Sequence, residues 1–245
     1  MKKVVHFLFG NFKAIDYCLW LSSLSVLIVL YVFFGAGGTL SLVVSLVGAT
    51  SLIWIAKGNV VGQALAIVFS VLYGIVSYQT AYYGEMITYL GMTAPIAAVA
   101  LISWLRHPSE KGHSVVAVRR LTAREYPLMF CLGAVVTLLF FFILRRMGNA
   151  NLIFSTVSVF TSFIAVYLSV RRSPLYALGY AANDIVLIIL WTLATIESQQ
   201  YFPMILCFSI FLLNDIYGFI NWHRMEVRQR HCTVSPAHES TPPPT

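Results

Sequence analysis

Residues 152–170 read LIFSTVSVFTSFIAVYLSV, a basic turn follows at Arg171-Arg172-Ser173-Pro174, and residues 175–195 read LYALGYAANDIVLIILWTLAT. Each apolar run has about twenty residues, the helix length that crosses a hydrocarbon core of about 30 Å. Neither run alternates apolar with polar positions, which excludes the strands of a membrane barrel. Lipid offers backbone groups no hydrogen-bond partner, so the runs must satisfy themselves as helices. Ser173 and Pro174 supply an N-cap and a first helical position for the second run. The stretch is therefore a helical membrane hairpin.

The same pattern extends over most of the chain. Its 245 residues are 59% hydrophobic and 10% charged, far too apolar to cover a water-facing surface. Eight spans can be marked at roughly 17–34, 39–56, 60–82, 86–105, 126–144, 152–170, 174–195 and 203–222. Breakers separate them: Gly35–Gly38, Gly58-Asn59, Gly84, the polar stretch His107–Glu125, Gly148-Asn149 and the Glu197–Gln200 turn. The first run is of full span length and no small-residue cleavage site follows it, so it is expected to be a retained anchor.

A net charge of +7 could suggest nucleic-acid binding, but the basic residues lie in the loops. With the N-terminus inside, fourteen of the sixteen Lys and Arg fall on the inner side, and only Arg145 and Arg146 fall outside. That bias predicts a multi-pass protein with both termini inside. The four cysteines are scattered and give neither a disulfide framework nor a metal site. No phosphate loop, metalloprotease motif or nucleophile elbow is present, so the chain is expected to be a non-enzyme with no catalytic residues, metal or cofactor.

Spans 2–4 and 6–8 share features. Ile102-Ser103-Trp104-Leu105-Arg106 closes one triplet and Ile220-Asn221-Trp222-His223-Arg224 the other. Each has a basic inner turn (Lys57; Arg171-Arg172) and an aromatic outer turn (Tyr82-Tyr83; Tyr201-Phe202). Three helices are an odd number, so an intervening fifth span is needed to keep the triplets parallel. The expected fold is an all-α membrane protein of eight transmembrane helices, one extra N-terminal helix plus a 3+1+3 parallel repeat, as in the SWEET transporters. Its units are 1–38 (N-terminal tail and extra helix), 39–106 (first repeat), 107–150 (cytoplasmic loop and linker helix), 151–224 (second repeat) and 225–245 (disordered cytoplasmic tail).

Three stretches carry a family resemblance: Tyr83-Gly84-Glu85-Met86-Ile87-Thr88-Tyr89, Tyr180-Ala181-Ala182-Asn183-Asp184-Ile185-Val186-Leu187 and Asn214-Asp215-Ile216-Tyr217-Gly218-Phe219-Ile220-Asn221-Trp222. They resemble the PnuC family of nicotinamide riboside transporters. The resemblance implies a bacterial inner membrane, a substrate site inside the bundle, and facilitated diffusion with trapping by phosphorylation in the cytoplasm. Relatives carrying thiamine, riboflavin or deoxynucleosides keep those substrates open. The implied partners are the small-molecule substrate and membrane lipid, without nucleic acid; a homo-oligomer is left open.

Candidate site residues follow from depth and helical phase. A charge at mid-bilayer costs about 2.5–3.5 kcal/mol on insertion scales and so must face protein or water. Entering from opposite sides, spans 7 and 8 bring Asn183-Asp184 and Asn214-Asp215 to one depth. Asp184 shares a face with Trp191, a stacking candidate; Asn214, Tyr217 and Asn221 share a face of span 8. Tyr73, Ser77 and Gln79 on span 3 are offered for a ribose. The competing reading makes these groups interhelical glue. With no intramembrane Lys or Arg to pair the carboxylates, a cationic pyridinium substrate is expected to fill that role. Trp104 and Trp222 are expected as membrane-interface anchors, Glu85 as a solvated group at the outer mouth, and Pro95 as a kink. Proton- or sodium-coupled uptake, and a non-transporting scaffold or receptor, are the competing functions.

Overall fold

The computed structural model describes residues 9–10, 12–34, 38–79, 83–109, 112–149, 151–197, 199 and 202–234. The helices are α1 (Ala14–Phe34), α2 (Gly38–Ala56), α3 (Val60–Gln79), α4 (Tyr83–Thr88), α5 (Ala94–Arg106), α6 (Glu125–Arg146), α7 (Leu152–Val170), α8 (Tyr176–Glu197) and α9 (Phe202–Val234). A π-helical segment, Tyr89–Thr93, joins α4 to α5. Among the described residues seven segments are long and apolar enough to cross a membrane, and Leu42–Ala56 is a shorter apolar helix. The all-helical membrane expectation holds.

The expected kink at Pro95 takes a specific form. Proline lacks an N–H and crowds the preceding turn, so the ladder cannot run regularly past it. The chain widens into the π turn just before Pro95, and such turns recur at functional sites. A Cβ on Gly74 would lie 2.5 Å from Leu90 Cγ, so only glycine lets α3 approach the π turn so closely.

Helix contacts are reciprocal. α9 packs on α2 as well as on α8, and α5 packs on α7 as well as on α3. The α2–α3 and α7–α8 turns share one hydrogen-bond scheme. Gly58 N–H donates to Ile55 O and Asn59 N–H to Trp54 O; Arg172 N–H donates to Ser169 O and Ser173 N–H to Leu168 O. Asn59 Oδ1 then accepts from Val61 N–H at 3.0 Å, as Ser173 Oγ accepts from Leu175 N–H at 3.3 Å. Both turns need a left-handed residue, Gly58 at φ +67° and Arg172 at φ +58°.

Trp104 and Trp222 correct the sequence expectation. Both are fully buried, and neither anchors the interface. The Trp222 indole N–H donates to Ile55 O at 2.8 Å, closing the end of α2; the Trp104 indole donates to Ser169 O at 2.9 Å, closing the end of α7. Neighbouring side chains repeat the exchange, Asn221 donating to Ala56 O at 2.6 Å and Ser103 to Val170 O at 2.8 Å. The last carbonyls of a helix lack full intrahelical partners, and such donors serve them when they are buried.

The polar stretch after α5 forms a small antiparallel hairpin, β1 (Pro108–Ser109) with β2 (Gly112–Val116). Its continuation straps the α2–α3 and α7–α8 turns. Val116 N–H donates to Gly58 O and Arg119 N–H to Arg172 O, both at 3.0 Å. The tail expectation is corrected over 225–234, which continues α9 as helix. Gln229 there holds the strap, accepting from Val118 N–H at 2.8 Å and donating to Val116 O at 3.1 Å. Glu226 pairs with Arg120 and, at 2.7 Å, with Arg230 one turn on. Residues 235–245 lie outside the described residues.

Candidate functional site

Asp184 lies about 12 Å along α8 from Tyr176, and Asp215 about 20 Å along α9 from the opposite end. The two helices enter from opposite sides, so the carboxyls come level and lie within reach of each other. Both are buried, at 5% and 4% exposure. A hydrogen bond between two carboxyls needs a proton on one of them, and two bare charges in contact repel strongly. Asp184 Oδ2 has no hydrogen-bond partner among the described residues. The pair therefore offers an acceptor to a guest.

Aromatic side chains lie near the pair. Tyr180 lies within electrostatic range of both carboxyls, and Tyr89 and Cys207 within range of Asp184. Tyr89 sits on the π turn, with its ring 4.5 Å from Tyr73 and 5.9 Å from Phe69, and Phe69 reaches Phe211 at 6.1 Å. Below the pair, towards the basic end, Tyr176 stands edge-on to Trp222 at 4.7 Å, and Trp222 touches Trp104 at 5.3 Å. Val116 of the strap joins this apolar layer, which seals the basic end of the bundle. On the other side Trp191 packs with Leu187, Cys207, Phe208 and Phe211.

The remaining candidates divide. Tyr73 and Ser77 are buried on α3, Tyr73 within the aromatic nest. The Gln79 side chain lies outside the described residues. Asn183 is held on α7: its carboxamide oxygen accepts from Thr161 at 2.8 Å, Ser162 at 3.0 Å and Ser158 at 3.4 Å. Asn214 donates to Ser23 of α1 at 3.2 Å and to Ile210 O at 3.0 Å. Asn221 caps α2, as above. The asparagines thus fasten helices while the aspartates face each other.

Tyr217 is drawn away to a cluster with no counterpart in the sequence reading. Its hydroxyl donates to Asp16, a fully buried residue of α1. Asp16 also accepts from Lys13 N–H at 2.6 Å and pairs with buried Lys57 at 3.0 Å. Burial pushes the Lys57 ammonium below its ordinary range, opposed by the hydrogen bond and charge of Asp16. Glu85 is a correction: it is buried, not solvated. Tyr89, which the sequence does not single out, sits on a π turn within electrostatic range of Asp184, and that turn has no local sequence signature beyond Pro95.

A profile described as nicotinamide mononucleotide transporter matches residues 38–224. The chain is 27% identical to the nicotinamide riboside transporter PnuC of Neisseria mucosa over 226 residues, covering 90% of this chain and 85% of that protein. It is 25% identical to the protein of the same name from Haemophilus influenzae over 191 residues, covering 77% and 81%. It also superposes on a solved structure titled as the vitamin B3 transporter PnuC, with TM-score 0.81, 25% identity, and coverage of 94% of this chain and 99% of that one.

Proposed function

The chain belongs to the nicotinamide mononucleotide transporter family, and from that premise we propose that it carries nicotinamide riboside by facilitated diffusion through a site at Asp184 and Asp215. The observation that carries the reading is the buried acid pair with a free acceptor, set among Tyr89, Tyr180 and the Tyr73–Phe69 nest. A flat pyridinium cation gains from the carboxyl charge and from ring faces together. A mononucleotide would bring a phosphate towards two carboxyls, and Lys57, the buried lysine of the neighbouring turn, is already taken by Asp16. That favours the riboside, with phosphorylation in the cytoplasm trapping it.

The reciprocal caps of Trp104 and Trp222, and the matched turns at Gly58 and Arg172, support eight spans arranged as an extra helix plus a 3+1+3 parallel repeat. The inner-side excess of Lys and Arg supports both termini inside, which puts the strap and the sealed tryptophan layer on the cytoplasmic face. Competition binding to the purified protein tests the substrate. Riboside should displace a labelled riboside far better than mononucleotide, thiamine or riboflavin; equal displacement by mononucleotide, or no binding at all, refutes the reading. Two buried carboxyls within reach of each other can share a proton, which favours a second reading, proton-coupled uptake. Collapsing the proton gradient across vesicles separates the two, since passive transport is indifferent to it.

A further inference from the structure

We propose that Glu85 is an entry subsite for the organic cation, the first acidic group that the substrate meets on its way to Asp184. The proposal rests on the cation-transport reading above. Glu85 begins the fourth span at the end opposite the strap, and it is 8% exposed. Its Oε2 has no hydrogen-bond partner among the described residues, and it forms no ion pair with any described Lys or Arg. Thr88, one turn along, gives its hydroxyl to Gly84 O at 2.9 Å and so leaves Glu85 unserved. The turn that carries it is closely packed: a Cβ on the preceding Gly84 would lie 2.5 Å from Asn149 Oδ1 and 3.0 Å from Leu144.

A buried carboxyl in a membrane helix without a partner costs free energy unless a ligand supplies one. Glu85 faces inward along the buried side of its helix, which continues through Thr88, Tyr89 and Met92. Tyr89, about 6 Å deeper, lies within electrostatic range of both Glu85 and Asp184. The order from the mouth inward is thus a carboxyl, an aromatic nest (Tyr89, Tyr73, Phe69), then the acid pair. A metal ion would want several oxygen ligands, whereas a single carboxyl beside ring faces suits a flat organic cation.

The test is uptake by proteoliposomes of nicotinamide riboside and of its reduced form, whose ring is neutral, with wild type, Glu85→Gln and Glu85→Asp compared. Glu85→Gln should raise the half-saturating concentration of the cation about tenfold, the scale of one charge-assisted contact. It should leave the neutral form within about twofold, while Glu85→Asp should keep the preference for the cation. Equal loss for both substrates assigns Glu85 a structural role and overturns the proposal, as does an unchanged half-saturation. Sodium-dependent uptake that vanishes in Glu85→Gln overturns it in favour of an inorganic cation. A wild-type protein that takes up neither form refutes the transport reading itself, separately from Glu85.

Discussion

Removing Lys57 should destabilise the protein more than removing Asp16, although the two form one pair. They sit 3.0 Å apart with side chains 6% and 0% exposed. At an effective dielectric of 20 the attraction at that distance is about 5.5 kcal/mol, against a desolvation cost of several kcal/mol per ion. The net worth is small, but breaking one side is costly. Lys57→Met leaves Asp16 buried with only the Tyr217 hydroxyl and the Lys13 N–H, a loss of about 3–5 kcal/mol. Asp16→Asn keeps an acceptor for Tyr217, and Lys57 can escape by losing a proton that burial already loosens, so the loss should be about 1–3 kcal/mol. The double variant should return to within about 2 kcal/mol of wild type. The pH dependence has a definite sign. Lys57 holds its proton less tightly folded than unfolded, where its ordinary value is 10.5. Between its folded value and 10.5 the unfolded chain binds more protons, so Asp16→Asn should gain stability as pH rises through that window. Thermal unfolding in detergent across pH measures all of this. Additive single losses, or an Asp16→Asn protein that loses stability as pH rises, would refute the buried-pair account.

Three further outcomes follow from packing. Asn183→Ala leaves the Ser158, Thr161 and Ser162 hydroxyls without their shared acceptor and should cost about 1–2 kcal/mol of stability, with cation selectivity unchanged in uptake assays. Gly179→Val should abolish folded yield on size exclusion, because a Cβ there already lies 2.8 Å from Ala165 Cα and α8 cannot pack on α7. Trp222→Phe should cost about 1 kcal/mol in a thermal-shift assay by leaving Ile55 O only the Gly58 N–H, and Trp104→Phe should match it by leaving Ser169 O only the Arg172 N–H.

Most of the fold is legible in the sequence because lipid imposes one rule, apolar runs of span length divided by basic or glycine-bearing turns. Asp184 and Asp215 are legible for the same reason, since a mid-membrane acid stands out and helical rise fixes its depth. Partnerships between distant residues are not. Nothing near Trp104 or Trp222 says that each indole closes the end of a helix distant in the chain, and a tryptophan at a span end reads equally well as an interface anchor. Asp16 resembles an ordinary flanking charge until Lys57 and Tyr217 converge on it. Glu85 resembles a solvated mouth residue because the groups that pack against this turn, such as Leu144 and Asn149 beside Gly84, lie some sixty residues away in the chain. The α9 extension looks like polar tail, and only its grip on the strap through Gln229 and Glu226 gives it a reason to stay helical.

Charge at Asp184 and Asp215 is the property on which the transport account stands, and isosteric neutralisation probes it without changing shape. Uptake of nicotinamide riboside and of its neutral reduced form should be measured side by side in Asp184→Asn, Asp215→Asn and the double variant, each checked for folding. The expected result is a loss of cation uptake of about tenfold or more in the double variant, with neutral uptake changed by less than about threefold. Equal loss of both forms, or undiminished uptake of the cation, would contradict the account.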